Sequence, residues 1–206
     1  MIKKAPFIGI AGNIGVGKTT FTEVLSEKYN WKDYYESVID NPYLSDFYQD
    51  MTRWSFNLQI YFLQHRFSDQ MEIQSNGMGV IQDRTIYEDV EIFAKNLYEM
   101  NHMSNRDWET YNSLFLNMTQ FLRKPDLIIY LRASTDTLLS RIKNRDRNFE
   151  KNISPEYLHG LNLLYDRWIN RINHQNVYVI ESDGFNIFKD KDSLDEIIID
   201  IEKELE

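Results

Sequence analysis

The sequence predicts a three-layer α/β fold in which a five-stranded parallel sheet is covered by helices on both faces. Predicted strands alternate with predicted helices along the chain, a pattern typical of parallel sheets. The strands are nearly unbroken apolar runs, as expected where both faces of a sheet are buried, and Leu127 to Leu131 is the cleanest of them. A glycine-rich loop joins the first strand to the first helix. Because ligands bind beyond the carboxyl ends of parallel strands, we expect the functional residues there.

Each element has a local signal. The expected strands are apolar runs at residues 7–11, 33–38, 79–82, 127–131 and 177–180. Helices are indicated by apolar residues three and four apart and by start or stop residues such as Asn76-Gly77 and Ser154-Pro155. The expected helices begin at 18, cover 53–75, 86–98, 108–122 and 135–143, or begin near 43, 155 and 193.

The bulk composition indicates one globular domain spanning residues 1–206, with 42% apolar and 27% charged residues. The net charge of −9 argues against a nucleic-acid or membrane partner, since both present anionic surfaces. The absence of cysteine excludes disulfides, thiolate zinc sites and a thiol nucleophile. Neither a signal-peptide pattern nor an apolar run of spanning length is present, so a cytoplasmic protein is expected.

The loop after the first strand carries a phosphate-binding pattern. Gly12 to Thr19 fits G-x-x-x-x-G-K-[ST], and apolar residues at helical spacing follow it. Backbone N–H groups at the start of a helix attract phosphate, Lys18 can reach the transferred phosphate, and the Thr19 hydroxyl can bind Mg²⁺. A glycine-rich turn before an ordinary helix is the simpler alternative, but it does not explain the full match. The pattern therefore predicts binding of a nucleoside triphosphate.

Charged residues follow the other predicted strands. Glu36 after the second strand is a candidate general base, and Asp83 after the third is either a Mg²⁺ ligand or a competing base. Arg84 can hold the base or the substrate, or pair with the end of a helix. Arg132 follows the fourth strand and is expected on the same edge of the sheet. A capping or salt-bridge role is the alternative for the carboxylates, but two of them beside the phosphate loop favour chemistry.

Two further sets of polar residues have functional spacing. Residues 141–152 carry clustered basic side chains on an acidic chain, which is either a solvated helix end or a lid that closes over phosphates. Gln59 and Arg66 are seven apart on the aromatic helix 53–75 and so share a face. A buried amide and guanidinium need partners, and the amide suits the edge of a nucleobase.

At these positions the chain resembles the deoxyribonucleoside kinases. The resemblance spans nearly the whole chain and is carried by GNIGVGKTT (12–20), Glu36-Ser37-Val38, DRTIYEDVEIFAKNLYE (83–99) and RIKNRDRNFE (141–150), with Tyr48 eleven residues before Gln59. It implies a P-loop kinase fold with an arginine-rich lid, ATP as phosphate donor, and Mg²⁺. It also implies a homodimer formed through the aromatic-rich helices around 86–122.

The resemblance implies a role for each matching residue. Catalysis would involve Glu36, Asp83, Arg84 and Lys18, with Glu36 deprotonating the sugar 5′-hydroxyl, and the metal would sit near Thr19 and Asp83. ATP would be bound by Gly12, Asn13, Ile14, Gly15, Val16, Gly17, Lys18, Thr19, Thr20, Arg141, Arg145, Arg147, Asn186, Ile187 and Phe188. The nucleoside would be bound by Glu36, Tyr48, Gln59, Arg66, Arg84, Asp89, Phe93 and Glu150, with Tyr48 and Glu150 on the 3′-hydroxyl and Phe93 stacked on the base.

The Arg66 and Asp89 pair bears on the base. Members of the family that accept purines or deoxycytidine resemble this chain in having Arg and Asp there, so a purine is favoured and deoxyadenosine is the first candidate. The chain departs from the family by having Ser37 where proline is frequent and Asp83 where glutamate is frequent. These changes would loosen the strand exit that carries Glu36 and slightly alter the metal geometry.

Two other functions fit parts of the pattern. A nucleoside monophosphate kinase resembling thymidylate kinase shares the same core, but it must neutralise an acceptor phosphate that Glu36 would repel. A nucleotide-binding module without catalysis needs neither the lid arginines nor the polar face of the aromatic helix. The favoured function is therefore phosphoryl transfer from ATP to the 5′-hydroxyl of a deoxyribonucleoside in nucleotide salvage.

Overall fold

The computed structural model describes residues 5–36, 41–145, 147, 150, 153–172 and 176–205. Within these residues five strands form one parallel sheet in the order β2-β3-β1-β4-β5. The strands are β1 (Phe7–Gly12), β2 (Lys32–Tyr34), β3 (Val80–Asp83), β4 (Leu127–Arg132) and β5 (Asn176–Glu181). The predicted fold class is confirmed. The second strand is shorter than predicted: it ends at Tyr34, and Tyr35 and Glu36 lie beyond it. The last two residues of that prediction, Ser37 and Val38, lie outside the described residues.

The helices agree with the predicted elements except near their ends. They are α1 (Lys18–Tyr29), α2 (Leu44–Gln49), α3 (Met51–Ser75), α4 (Ile86–Glu88), α5 (Lys95–Glu99), α6 (Asn105–Thr119), α7 (Thr135–Arg145), α8 (Pro155–Arg171) and α9 (Lys191–Glu204). A π-helical segment, Asp89–Ala94, joins α4 to α5. The predicted helix 108–122 is displaced by three residues because the Ser104 hydroxyl caps its start, accepting a hydrogen bond from the N–H of Asp107.

The strand register brings the functional loops together. Ile10 of β1 lies opposite Asp83 of β3, and Gly12 lies opposite Leu131 of β4. The carboxyl ends of the three inner strands therefore meet at one edge of the sheet. Gly9 allows the close approach of the segment that follows β3, since a Cβ there would lie 2.5 Å from Cγ2 of Thr85.

The core fills the space between the sheet and its helices. The inner strands β1 and β4 are buried along almost their whole length. Helix α1 packs against β1, β2 and β3, α9 packs against β5, and α8 packs against α7 and the π-helical segment. Buried aromatic side chains such as Tyr111 of α6 and Tyr165 of α8 complete the interior. Among the described residues, no helix combines the length and apolar character needed to cross a bilayer.

Ile129 in the middle of β4 tests the contribution of this core. The side chain is fully buried, so Ile129→Ala should lower the free energy of unfolding by about 2 to 5 kcal/mol. Val179 of the neighbouring strand β5 is 38% exposed, and Val179→Ala should cost much less. Urea denaturation of both variants checks this. Equal losses would contradict the assignment of β4 to the core and of β5 to the partly exposed edge.

Candidate active site

A cavity of about 590 Å³ opens at the carboxyl ends of the strands. Its wall combines the phosphate loop, the segment after β2, one face of α3, the turn after β3, and the start of the lid. Most of the predicted functional residues contribute to this wall: Ile14, Gly15, Gly17, Lys18, Thr19, Thr20, Glu36, Tyr48, Gln59, Asp83, Arg84, Asp89, Phe93, Arg141, Arg145, Arg147 and Glu150. The fold therefore gathers residues more than a hundred positions apart into one site.

The phosphate loop has the backbone that its glycines allow. Gly17, immediately before α1, has φ of 108°, a left-handed conformation that glycine adopts without strain. Gly12 also has positive φ, and a Cβ there would lie 2.8 Å from the carbonyl oxygen of Leu131. The loop consequently lies close against β4, and its N–H groups sit at the positive end of α1.

Lys18 is folded back over this loop. Its ammonium group donates a hydrogen bond to the carbonyl oxygen of Asn13 at 3.1 Å, and the residue is 7% exposed. Burial, together with the positive charge of Arg84, lowers the pKa of Lys18 to about 8, although Asp83 and Glu36 act in the opposite direction. An anion bound in the loop would stabilise the charged form.

Thr19 and Asp83 meet at the rim of the loop. The Thr19 hydroxyl donates to Oδ2 of Asp83 at 2.6 Å, while Oδ1 of Asp83 is buried and finds no hydrogen-bond partner in the described part of the chain. An unpaired carboxylate oxygen beside a hydroxyl fits the oxygen ligands that Mg²⁺ prefers. No cluster of three or more acidic or histidine side chains suited to a metal occurs in the described part of the chain, so the remaining ligands would be phosphate oxygens and water.

Glu36 is held by two guanidinium groups. Its Oε1 accepts a hydrogen bond from Nη2 of Arg66 at 2.6 Å and lies 3.2 Å from Nε of Arg84, the latter without hydrogen-bond geometry. Burial alone would raise the pKa of Glu36, but the charges of Arg84, Arg66 and Lys18 outweigh it and lower the pKa to about 2. The carboxylate is therefore ionised at neutral pH and 21% exposed toward the cavity.

The Arg66 and Asp89 pair expected from the sequence is formed. Nε of Arg66 donates to Oδ1 of Asp89 at 2.8 Å, and its Nη1 donates to the carbonyl oxygen of Arg84 at 2.8 Å. Burial raises the pKa of Asp89 to about 7, with Arg66 acting against the rise. Oδ2 of Asp89 and Oε1 of Gln59 are both buried and have no hydrogen-bond partner among the described residues. Both residues line the cavity, and each has one acceptor atom that is unsatisfied within the described part of the chain.

Aromatic side chains shape the same region. Phe93 follows Asp89 by four residues on the π-helical segment, and the Arg84 guanidinium lies 4.1 Å from the centre of its ring. Tyr48 and Tyr157 line the cavity from α2 and α8. π-Helical segments often occur at functional sites, and here the segment brings an acid and an aromatic ring to one wall.

The arginine-rich segment begins within helix α7, and its arginines contact the phosphate loop and the carboxylate of Glu150. Arg141 donates to the carbonyl oxygen of Val16 at 2.8 Å and to Oγ of Ser182 at 3.1 Å. Arg145 forms a salt bridge with the buried carboxylate of Glu150, and Arg147 lies 3.6 Å from its other oxygen. Glu150, expected on the sugar, is thus paired with the lid in this state. Residues 146, 148, 149, 151 and 152 of the predicted lid lie outside the described residues.

A smaller cleft of about 180 Å³ lies on the other side of the loop. It is lined by Gly17, Thr20 and Arg141 and by the segment after β5, which includes Asn186, Ile187 and the exposed Phe188. The segment expected against the adenine of ATP therefore borders the phosphate loop, and Val16 lines the same cleft.

Three residues around the site differ from what the sequence analysis expected. Arg132 follows β4 as expected, but it is half-exposed, pairs with Glu181 and does not line the cavity. Asn13 instead anchors the loop, donating to the carbonyl oxygen of Leu158 at 2.9 Å. Sequence reasoning missed Tyr157, which carries no local signal.

A buried carboxylate and a buried phenol were also missed. Glu88 completes a capping box with Thr85, and the T-x-x-E spacing before an apolar run is a signal that sequence can supply. The hydroxyl of Tyr165 lies within hydrogen-bond distance of both Glu88 and the carbonyl oxygen of Gly12, and nothing in its local sequence distinguishes it from a core tyrosine.

The fold and cavity together define a P-loop kinase. Comparison with known proteins agrees: a family model described as deoxynucleoside kinase matches residues 8–206. The chain is similar to a deoxyadenosine/deoxycytidine kinase of Bacillus subtilis, with 40% identity over 96% of this chain and 92% of the relative. It is 47% identical to a deoxyadenosine kinase of Dictyostelium discoideum over 81% of this chain and 67% of that one.

A solved structure gives the same result. Deoxyadenosine kinase from M. mycoides with the products dCMP and a flexible dCDP bound aligns with a TM-score of 0.85 and 31% identity, covering 96% of this chain and 99% of that one. The same enzyme with bound dATP aligns with a TM-score of 0.82, covering 93% and 98%. The chain belongs to the deoxynucleoside kinase family, and it is a kinase.

The lowered pKa of Lys18 makes phosphate binding depend on pH. At about pH 9 most Lys18 side chains are uncharged, and a bound triphosphate should return the proton, because the anion stabilises the ammonium form. Calorimetry of ATP binding at that pH, in buffers of different ionisation enthalpy, should show uptake approaching one proton. Lys18→Arg keeps its charge and is the control. Equal uptake by both proteins would contradict the assignment.

Proposed function

We propose that this kinase transfers the γ-phosphoryl group of ATP to the 5′-hydroxyl of a deoxyribonucleoside, with deoxyadenosine the first candidate. The observation that carries the proposal is Glu36, an ionised carboxylate that faces the cavity between Arg66 and Arg84 and beside the phosphate loop. A carboxylate placed there can accept the proton of a neutral hydroxyl group. The relatives named above are kinases of deoxyadenosine and deoxycytidine, and this supports the same substrate class.

Glu36 is the proposed acceptor of the hydroxyl proton. Its low pKa makes it a weak base, but phosphoryl transfer passes through a loose transition state, so the attacking oxygen loses its proton late. A fixed anion that orients the hydroxyl is then more useful than a strong base. Arg84 would stabilise charge on the attacking oxygen. Asp83 remains the competing base, since its unpaired oxygen lies at the same edge of the sheet.

The donor phosphates would lie in the loop formed by residues 12–20. Lys18 and the lid residues Arg141, Arg145 and Arg147 would balance the charge of the migrating group, and the adenine would lie against the segment 186–188. Thr19 and Asp83 would hold Mg²⁺, which supplies charge neutralisation of the phosphate oxygens when bound. The hydroxyl–carboxylate contact and the unpaired oxygen of Asp83 support this part of the proposal.

The nucleoside would occupy the inner part of the cavity. Tyr48 would contact the 3′-hydroxyl together with Glu150 once the lid rearranges, and Phe93 would stack on the base. Gln59 and Asp89 would read the base edge. Both have a buried oxygen without a partner, and the exocyclic amino group of adenine or cytosine is a donor that would satisfy such an acceptor. Deoxyguanosine and deoxycytidine are the alternative candidates, and a related kinase of Bacillus subtilis is named for deoxyguanosine.

The assembly and location are part of the same proposal. We infer one domain over residues 1–206 with a lid at about 141–152, acting in the cytoplasm, where ATP is available. A homodimer through the helices around 86–122 is supported by exposed apolar side chains at Leu116 and Phe121, which are 57% and 81% accessible on the end of α6 and just beyond it.

Replacement of Glu36 tests the proton acceptor. Glu36→Gln cannot accept the proton, so kcat should fall by about two to four orders of magnitude while deoxyadenosine binding remains measurable by calorimetry. Asp83→Asn is the matched comparison, and it should chiefly raise the Mg²⁺ concentration needed for half-maximal rate. Near-normal turnover of Glu36→Gln would refute the assignment and favour Asp83.

A panel of acceptors tests the substrate class. The values of kcat/KM for the four natural deoxynucleosides should be highest for deoxyadenosine and lowest for thymidine, whose methyl group the Arg66–Asp89 pair crowds. The monophosphates dAMP and dTMP should be poor acceptors, because Glu36 repels a second phosphate. Faster transfer to either monophosphate than to any deoxynucleoside would instead identify a monophosphate kinase.

A further inference from the structure

Two fully buried side chains, Glu88 and Tyr165, connect the phosphate loop to Arg84 behind the cavity wall. Neither is among the described side chains that line the cavity, so neither is expected to touch substrate. Buried carboxylates are costly unless they are paired and hydrogen-bonded, and the contacts of this one extend well beyond what capping a helix needs.

Glu88 uses each carboxylate oxygen for a different task. Oε1 accepts a hydrogen bond from the N–H of Thr85 at 2.8 Å and completes the capping box of α4. Oε2 accepts from the N–H of Gly12 at 3.3 Å and from the hydroxyl of Tyr165 at 2.6 Å. One side chain therefore ties the turn after β3 to the first glycine of the phosphate loop.

Tyr165 completes the connection to Arg84. Its hydroxyl oxygen accepts a hydrogen bond from Nη1 of Arg84 at 2.9 Å and lies 2.8 Å from the carbonyl oxygen of Gly12. Burial raises the pKa of Tyr165, and Arg84 opposes the rise. The phenol consequently keeps its proton at neutral pH and can donate to Glu88 while it accepts from the guanidinium.

Arg84 has an unusual backbone conformation, and several neighbours contact its guanidinium group. Its backbone has φ of 68°, a conformation that non-glycine residues seldom adopt. The centre of the Phe93 ring lies 4.1 Å from the guanidinium carbon, and Nε lies 3.2 Å from Oε1 of Glu36. The hydrogen bond to Tyr165 fixes Nη1, which otherwise could rotate away from the cavity edge.

We propose that Glu88 and Tyr165 are a positioning pair that aligns the Arg84 guanidinium with the phosphate loop. The pair acts through Arg84, so the inference rests on the proposed role of Arg84 at the 5′-oxygen. A loop and a guanidinium that share one buried anchor keep a fixed separation, and small errors in such a separation are expensive for catalysis.

The experiment compares Tyr165→Phe with Tyr87→Phe in steady-state kinetics with ATP and deoxyadenosine. Both changes remove one buried hydroxyl, but that of Tyr87 has no hydrogen-bond partner among the described residues, and burial is what raises the pKa of Tyr87. We expect Tyr165→Phe to lower kcat by about ten- to a hundredfold, the worth of a hydrogen bond to a charged group, with the nucleoside KM changed by less than about threefold. Tyr87→Phe should leave kcat unchanged.

A double-mutant cycle separates positioning from general support. Arg84→Lys keeps the charge but loses the fork that Tyr165 contacts, so adding Tyr165→Phe to it should lower kcat by no more than about twofold. Fully additive losses of kcat would overturn the positioning role of Glu88 and Tyr165 but not the role of Arg84. The same conclusion would follow if Arg84→Lys were impaired while the kcat of Tyr165→Phe stayed within twofold of wild type. Wild-type activity of Arg84→Lys would overturn both the pair and the proposed role of Arg84.

Thermal melting is recorded for every variant. Should Tyr165→Phe fail to melt cooperatively, Glu88→Gln carries the same test, because the amide keeps the shape of Glu88 and still accepts from Thr85. It should then show the same loss of kcat at nearly constant KM. Retention of wild-type kcat by a folded Glu88→Gln would overturn the proposal.

Discussion

The site depends on a buried cluster of ionic groups at the carboxyl ends of the inner strands. Arg66 and Arg84 neutralise Glu36 between them, and Arg66 also pairs with Asp89. Removing one member would deprive a buried charge of one of its partners, which is more costly than losing a surface ion pair. The cluster therefore limits which side chains the rest of the cavity can contain.

The cluster also sets the protonation states that chemistry can use. Its positive members hold Glu36 ionised, with a pKa of about 2, while burial lowers the pKa of Lys18 to about 8 and raises that of Asp89 to about 7. The two carboxyl groups, Glu36 and Asp89, thus have different pKa values because their surroundings differ. At neutral pH Glu36 is therefore ionised, while Lys18 still carries most of its positive charge.

The parallel sheet makes the cluster possible. Strands β1 and β3 pair with Ile10 opposite Asp83, so the phosphate loop and the Asp83-Arg84 turn leave the sheet side by side. The long helix α3 supplies Gln59 to the cavity wall and Arg66 to the ion pairs behind it. Helix α8 closes the back through Tyr165. Each charged group comes from a different element, and each element has its own share of the apolar core to hold it in place.

The sequence alone predicted the fold class and the phosphate loop. These depend on local rules: apolar runs form buried strands, glycines permit left-handed backbone, and Lys18 and Thr19 follow a fixed pattern. Most of the residues that line the cavity were also expected, but Glu23, Tyr35, Leu44, Phe47, Leu58, Phe62 and Tyr157 were not. The pairing of Arg66 with Asp89 and the gathering of Glu36, Gln59 and Phe93 were expected from the family resemblance, and the geometry brings them together.

Only the tertiary structure showed that Arg66 contacts Glu36, that Glu150 pairs with the lid, that Arg132 lies apart, and that Tyr165 reaches Gly12 across 153 positions. Such contacts join residues remote in the chain, and no periodicity or short motif encodes which of several buried polar groups will meet. They are decided by how the elements pack, since a buried charge must find a partner wherever packing places one.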